Sequence, residues 1–241
     1  KQMERLRESH AWGLTPIDQL LCRIQFKQLR YDGHYTPPTL QGSIAYAGNH
    51  GGINWGGIAI DLQRGIMVMN SNRLPYTEHV YPREEMERLG VKSVFRGESE
   101  RPEYMAQVGS TYGAKKEPWM SPLKVPCIAP PWGYISGTDL RTQEIVWRRP
   151  LGTGYDHGPM GIPSRLKLEM GTPNNSGSVT TGGGLTFIGA ALDRLMPAFR
   201  SATGGLVGVG RHDERRDAFG NRRRDLGIKR VHIVEMAEHG A

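Results

Sequence analysis

The chain has 241 residues, with 31 basic and 24 acidic side chains and a formal net charge of +7. This length suits one large all-β domain or two smaller ones. The basic residues alternate with acids and no RNA-binding aromatic motif is present, so the composition argues against a dedicated nucleic-acid-binding protein.

One helix is predicted near the start of the chain. Thr15 can cap free backbone N–H groups, Pro16 suits the first helical position, and Asp18 suits the positive end of the helix dipole. Apolar residues then recur at helical spacing, at Ile17, Leu20, Leu21 and Ile24. The pattern predicts an amphipathic helix of about four turns that ends at Asp32-Gly33.

From residue 42 onward, short apolar runs alternate with glycine-rich turns, which is typical of β-strands. Strands are predicted within SIAYAG (43–48), GGIAID (56–61), IMVMN (66–70) and the segment 177–210. Residues 75–126 show no clear strand pattern, only a short helix within 84–92, so we expect a functional insertion or a lid there. A second irregular stretch is predicted at 151–170.

A hairpin pattern occurs three times. A polar turn and a short strand follow Asp61, Asp139 and Arg200, and the position eight residues on is Met69, Trp147 or Gly208. Unequally spaced repeats of one hairpin each are typical of β-propeller blades. The third copy lacks both the Asp and the Trp, and we expect the blade after it to be the least secure part of the fold.

Cys22 and Cys127 lie about a hundred residues apart and form no metal-binding or CxxC motif. Two buried free thiols and one long-range disulfide both fit, and the disulfide requires an oxidising compartment. The chain begins without an initiator Met and has no signal peptide. Its apolar runs are too short to span a bilayer. We expect a fragment of a longer protein.

Several motifs together resemble the membrane-bound quinoprotein glucose dehydrogenases, which use pyrroloquinoline quinone (PQQ). They are WGLTPIDQLLCRIQFKQLRYDGHYTPP, GNHGGINWGGIAID, VPCIAPPWGYISGTDL and GGGLTFIGAALD, together with the hairpin motif DLRTQEIVW. The resemblance is clearest over residues 9–204, whereas 205–241 diverges. It implies an all-β fold, part of an eight-bladed β-propeller of the quinoprotein alcohol dehydrogenase type, with one N-terminal amphipathic helix and long loop insertions. On this comparison residues 1–241 form the C-terminal part of the propeller.

The resemblance also implies a function. The family oxidises an aldose, such as glucose to gluconolactone, with PQQ and a divalent cation (Ca²⁺ or Mg²⁺), and ubiquinone receives the electrons. The general base and a PQQ-contacting lysine are expected upstream of this chain, as is a region that anchors the enzyme at the periplasmic face of the bacterial inner membrane. Two alternatives remain: a quinate or shikimate dehydrogenase of the same architecture, and a propeller fragment that is inactive without the base.

The site residues follow from matching positions in the family. The resemblance assigns Asn49, Asn54, Asn70 and Trp132 to the cofactor, and Asp193 and His239 to the mouth of the active site. Each has a structural alternative: a turn residue for the asparagines, a turn cap for Asp193, and an exposed terminal histidine for His239.

Other conspicuous residues receive structural roles. Trp147 is expected to pack between blades. His50 and His157 lack partners at metal-ligand spacing, so no metal ligand is assigned in this chain. Cys occupies both positions in relatives whose propeller is periplasmic, and the resemblance therefore favours a Cys22–Cys127 disulfide.

Overall fold

The computed structural model describes residues 4–49, 51–53, 56–92, 101, 103–189, 192–193 and 195–211. The chain divides into two compact units. Unit 1 comprises Lys1–Gly52, Arg73–Pro130 and Pro159–Gly161, and unit 2 comprises Ile53–Asn72, Pro131–Gly158 and Ile162–Ala241. Each unit is therefore assembled from segments that are distant in sequence.

Antiparallel strands are the main regular elements of the described residues, which confirms the β-rich character of the predicted all-β fold. In chain order the elements are α1 (Pro16–Gln28), β1 (Ser43–Ala45), β2 (Ile58–Asp61), β3 (Ile66–Asn72), β4 (Tyr76–Pro82), α2 (Arg83–Arg88), β5 (Tyr104–Met105), β6 (Tyr112–Pro118), β7 (Gly133–Asp139), β8 (Glu144–Pro150), β9 (Ser178–Thr180), β10 (Leu185–Ile188), β11 (Leu195–Arg200) and β12 (Leu206–Arg211). The twelve described strands form three four-stranded sheets. The number of blades in a complete propeller stays a prediction.

Helix α1 begins where the sequence predicts. The Asp18 amide donates to the Thr15 hydroxyl oxygen over 3.2 Å, which satisfies one of the free N–H groups of the first turn. The predicted end was wrong by about one turn, because Leu29 already has an extended backbone.

The buried face of α1 was also predicted wrongly. The four apolar residues of the predicted stripe are all exposed, with exposed fractions of 72, 53, 37 and 43% for Ile17, Leu20, Leu21 and Ile24. Asp18 and Cys22 are buried instead. The Asp18 carboxylate accepts from the amides of Leu14 and Leu123, and the Cys22 sulfur is bonded to Cys127. These anchors determine which face of the helix turns inward.

Residues 75–126 were predicted to lack clear elements, and this was wrong. They contribute the strands β4, β5 and β6, and the sheet of unit 1 has the order β1-β4-β6-β5. The short helix predicted within 84–92 is confirmed as α2. Strands β4 and β6 pair along their whole length, from Tyr76 opposite Pro118 to Pro82 opposite Tyr112. Lys, Glu, His and Tyr side chains occupy these strands, so the alternating apolar pattern that reveals a strand in sequence is missing.

The three predicted hairpins all lie in unit 2. They are formed by β2–β3, β7–β8 and β11–β12, in sheets of order β2-β3-β7-β8 and β12-β11-β10-β9. The turn after Asp139 is held by that side chain, whose Oδ1 accepts from the Arg141 amide over 2.8 Å. The Arg141 guanidinium also donates to the Asp139 carboxylate, and this hydrogen bond lowers the pKa of Asp139 to about 2. Residues 151–170 contain no strand and one short turn, as predicted.

Trp147 joins the two sheets of unit 2. Its exposed fraction is 8%, and its indole N–H donates to the Ser201 carbonyl over 2.8 Å, in the turn between β11 and β12. A Cβ at Gly204 would lie 2.5 Å from the indole, so this close approach requires glycine. Trp147 therefore packs between hairpins, as predicted. The buried core around it is completed by Ile66, Val68, Ile135, Leu151, Ile188 and Phe199.

The two cysteines form a disulfide within unit 1. The Cys22 and Cys127 sulfurs are bonded, both side chains are fully buried, and the link spans 105 residues of sequence. The free-thiol alternative is therefore excluded. Neither helix of the described segments is long and apolar enough to cross a membrane.

Candidate functional site

One end of unit 2 contains Asn70 and Trp132, two of the residues that the sequence singled out. Strand β3 ends there and β7 begins, and the segment 170–174 lies against both. The amides of Trp132 and Gly133 donate to the Gly171 carbonyl over 2.8 and 2.7 Å. A Cβ at Gly133 would lie 2.1 Å from the Thr172 carbonyl oxygen, so the segment can approach β7 only because this residue is glycine.

Three asparagines join this segment to β3. Asn70 donates its amide N–H to the Asn174 side-chain oxygen, and Asn72 donates to the Asn174 carbonyl over 2.6 Å. In return the Asn174 amide donates to Asn72 Oδ1 over 3.0 Å. The exposed fraction of all three is 3% or less. Buried amides are costly when unpaired, so this mutual pairing fixes the segment in one position.

Asp193 lies beside the same segment. Its Oδ2 accepts from the amide and the hydroxyl of Thr153, over 2.7 and 2.9 Å. Its Oδ1 is buried without a hydrogen-bond partner in the part of the chain that the structure describes. A buried carboxylate oxygen without a donor is unfavourable, so it is a ready acceptor for a hydroxyl group or a cation.

A small cavity of about 90 Å³ is lined by Asp193 and Thr153 together with Arg149 and Glu169. The Arg149 guanidinium has no ion-pair partner among the described residues. The remaining wall is apolar and comes from Leu151, Phe199 and residues of β11 and β12. The cavity thus combines an unpaired acceptor, a cation and apolar surface.

Asn70 and Trp132 both contact the segment 170–174, and Asp193 is bonded to Thr153 of the adjoining segment 151–153. Trp132 is 5% exposed and Asp193 equally so. Asn49 belongs to unit 1 and is exposed there. Asn54 and His239 lie outside the described residues. The assignment of all six to a cofactor or an active-site mouth stays a prediction.

Sequence reasoning missed Asn174, Asn72 and Thr153. Asn174 stands in TPNNSG, a polar stretch that reads as an ordinary turn. Only the fold shows that this turn returns to β3. The one signal available was the pair of asparagines at alternate positions of β3, Asn70 and Asn72, at the end of a strand that begins with four apolar residues.

The described residues do not form a whole cofactor pocket. Pockets that bind small molecules usually have volumes of roughly 300–1,000 Å³. The cavity beside Asp193 has a volume of only about 90 Å³. Within the described ranges no group of three or more His, Cys, Asp or Glu residues could hold a metal ion. The lining of this cavity includes Asp193, Thr153 and Arg149, whereas Trp132 and Asn70 are buried and do not line it.

Comparison with known sequences places these observations in a family. The model of the PQQ glucose/ethanol/alcohol dehydrogenase β-propeller domain matches residues 1–219. The glycerol dehydrogenase large subunit of Gluconobacter thailandicus is 40% identical over 84% of this chain and 28% of its own length. The quinoprotein glucose dehydrogenase of Escherichia coli is 36% identical over 86% of this chain and 26% of its own length.

A third relative has a different substrate in its name. The probable quinate dehydrogenase (quinone) of Xanthomonas campestris pv. juglandis is 39% identical over 86% of this chain and 26% of its own length. The chain therefore spans about a quarter of the length of these relatives. Their similar identities to this chain do not separate glycerol, glucose and quinate.

Proposed function

This chain belongs to the PQQ glucose/ethanol/alcohol dehydrogenase β-propeller family, and we propose that it is part of an enzyme that oxidises an aldose, such as glucose, at C1 to the lactone. PQQ with a divalent cation, Ca²⁺ or Mg²⁺, is the proposed cofactor, and ubiquinone is the proposed electron acceptor. The supporting observation is that Asn70, Trp132 and Asp193 are all linked through the adjoining segments 151–153 and 170–174 of unit 2.

Each of these residues has a defined task in the proposal. Trp132 would supply a flat apolar surface and Asn70 an amide at the edge of a planar anionic quinone. Asp193 would accept a hydrogen bond from a substrate hydroxyl through its unpaired Oδ1, while Thr153 holds its other oxygen. PQQ, when bound, accepts two electrons from the substrate alcohol. The general base is expected from outside this chain.

The location of the enzyme is proposed from the disulfide. Disulfides persist in oxidising compartments such as the bacterial periplasm, and Cys22 and Cys127 are bonded in unit 1. We place the chain at the periplasmic face of the inner membrane, held there by a membrane-spanning region elsewhere in the enzyme.

A second candidate substrate is a cyclic hydroxy acid such as quinate or shikimate. Arg149 favours it, because a guanidinium without an ion-pair partner among the described residues lies at the same cavity as Asp193. Arginine is well suited to hold a carboxylate in a bidentate pair. Glucose has no carboxylate and would leave this side chain unused.

We further propose that the isolated chain is catalytically inactive. It contributes only part of the proposed site, and the base and the PQQ-contacting lysine are assigned to other parts of the enzyme. PQQ-dependent dye reduction by the 241-residue chain, with Ca²⁺ or Mg²⁺ added, should therefore be absent for glucose, glycerol and quinate. Measurable turnover would overturn this part of the proposal.

The cofactor and substrate assignments are tested with a chimera. Residues 9–204 would replace the matching segment of the Escherichia coli quinoprotein glucose dehydrogenase, and dye reduction would be compared with glucose and with quinate. Retained glucose oxidation supports an aldose as the substrate. A shift to quinate oxidation that Arg149→Gln abolishes supports a cyclic hydroxy acid.

The site residues are tested in the same chimera. Asn70→Ala and Asp193→Asn should lower the rate of dye reduction, whereas Gln63→Ala, in an exposed turn, should not. Equal activity of all three variants would contradict the assigned site.

A further inference from the structure

Unit 1 contains a larger cavity than the one beside Asp193. It has a volume of about 450 Å³ and lies between the C-terminal half of α1 and the strands β4 and β6. This volume is within the range of roughly 300–1,000 Å³ that is usual for small-molecule sites. None of its lining residues belongs to the candidate site of unit 2.

The cavity has an apolar base and polar walls. The base is formed by Trp119, which is 1% exposed, with Leu29, Pro118 and Met120. The walls carry three carboxamides and four other polar side chains: Gln25, Gln28, Gln41, Thr77, His79, Glu117 and Lys124. A ligand with both apolar and hydrogen-bonding faces would match this lining.

The orientation of two carboxamides is fixed by their partners. The Trp119 indole N–H, which can only donate, is 3.0 Å from Gln25 Oε1. The amide N–H groups of Gln25 are therefore left to donate elsewhere. Gln41 has the opposite arrangement, because its Nε2 donates to the Gln28 backbone carbonyl over 2.9 Å and its Oε1 stays available as an acceptor. The side chain of Gln28 bonds to no described residue, so it offers both functions.

His79 adds a further unsatisfied group. Its Nδ1 is buried and has no hydrogen-bond partner in the described part of the chain. The ring is seated over Gly42, where a Cβ would lie 2.1 Å from Nε2. Burial, helped by the Lys115 ammonium and opposed by Glu117, lowers the pKa of His79. The imidazole is therefore neutral at pH 7.

The unpaired groups of the cavity are thus mostly uncharged. Glu117 is already paired with Lys115 over 2.8 Å, and Lys124 is exposed. Free amide donors, free amide acceptors and a neutral imidazole suit a molecule whose own groups both donate and accept, and hydroxyl groups do so. The C–H surface of such a molecule would cover the Trp119 side of the cavity.

We infer that unit 1 binds a neutral polyhydroxylated molecule, a polyol or a monosaccharide, in the cavity lined by Gln25, Gln28, Gln41 and His79. The inference does not rest on the proposed function, because this recognition requires neither PQQ nor turnover. It adds to the chain a binding site of its own.

The test uses the 241-residue chain without PQQ. D-glucose, glycerol and, as an anionic probe, quinate are titrated, and binding is followed by calorimetry and by saturation-transfer NMR. D-glucose should bind saturably in the millimolar range, with little dependence on salt concentration. Preferred binding of quinate that weakens with salt, or no saturable binding of either neutral probe, would overturn the inference.

Two variants locate the site while preserving the fold. Gln25→Glu keeps the oxygen that accepts from Trp119 and removes the free amide donor, and Gln28→Ala removes a side chain without a described partner. Each should weaken glucose binding by about three- to tenfold, the effect of one lost hydrogen bond, without changing Tm. Gln63→Ala, at an exposed position of unit 2, should leave the affinity unchanged. Unchanged affinity in both Gln25→Glu and Gln28→Ala, or an equal loss of affinity in Gln63→Ala, would place the bound glucose elsewhere.

Discussion

The two units contain similar four-stranded antiparallel sheets but are stabilised by different means. In unit 1 a disulfide joins α1 to the segment that follows β6, and a polar cavity of about 450 Å³ lies beside the sheet. In unit 2 a tryptophan from one hairpin docks on the turn of the next, and seven apolar residues form a continuous core. Unit 1 is thus fixed by a covalent bond, and unit 2 by packing and hydrogen bonds.

This difference shows in the sequence pattern of each unit. Unit 2 needs apolar strand residues and glycine-containing turns, which recur with its hairpins, and one correctly spaced tryptophan, Trp147. Unit 1 can carry charged strands and an exposed apolar helix face, because the Cys22–Cys127 bond holds its parts together. Substitutions that affect one unit and spare the other therefore test the comparison.

Loss of the disulfide should have the largest effect. Replacing Cys22 and Cys127 by Ala removes a cross-link over 105 residues, and the loss of chain-entropy restriction corresponds to about 4–5 kcal/mol for a loop of this size. Hydrogen exchange measured peptide by peptide should show loss of protection in α1 and β6. Unchanged protection in unit 1 would show that packing alone holds it together.

Trp147→Ala should have a nearly equal effect, but in unit 2. It removes a buried side chain and leaves the Ser201 carbonyl without its donor, a loss of about 3–5 kcal/mol. Trp147→Phe keeps most of the packing and should cost less, about 1–3 kcal/mol, through the unpaired carbonyl. Urea unfolding together with hydrogen exchange would measure both. Equal losses for the two variants would mean that the hydrogen bond, rather than burial, secures the hairpin.

Much of unit 2 was predictable from sequence because its signals are local. The turn at Asp139 and the eight-residue spacing to Trp147 both lie within one hairpin. The third hairpin forms as well, although Arg200 and Gly208 replace the Asp and the Trp. Its turn receives Trp147 from the preceding hairpin, so the fold there does not require a Trp of its own. The tail after residue 211, where the fold was expected to be least secure, lies outside the described residues.

Unit 1 was less predictable because its determinants are distant in sequence. The face of α1 that turns inward depends on Leu123 and Cys127, about a hundred residues away. The same holds for the candidate site, where Asn70 was identified but its partner Asn174 was not. Local patterns carry no information about which distant turn returns to a strand.

The asparagine network should contribute less than either anchor. Asn174→Ala would leave the buried Asn70 amide without its acceptor, which costs about 1–3 kcal/mol. Asn49→Ala, an exposed position in unit 1, is the matched control and should stay within about 0.5 kcal/mol of the parent. Chemical unfolding monitored in both units would test this. A similar loss for the two variants would indicate that the network does not hold segment 170–174.

The smallest effect is expected at Asp139 and depends on pH. Arg141 lowers the pKa of this carboxyl from 3.8 to about 2, first through its side-chain hydrogen bond and then through its backbone amide. A depressed carboxyl pKa stabilises the fold above the pKa of the unfolded chain, and this contribution is lost as the pH falls from about 4 to 2. Asp139→Asn should therefore lower the Tm of unit 2 at neutral pH and flatten its pH dependence in that window. Arg141→Gln should produce most of the same flattening, because it removes the first cause of the shift. If the acid-induced change in unit 2 were as steep in both variants as in the parent, another carboxylate would be responsible, and the Asp139 turn would hold its hairpin through geometry alone.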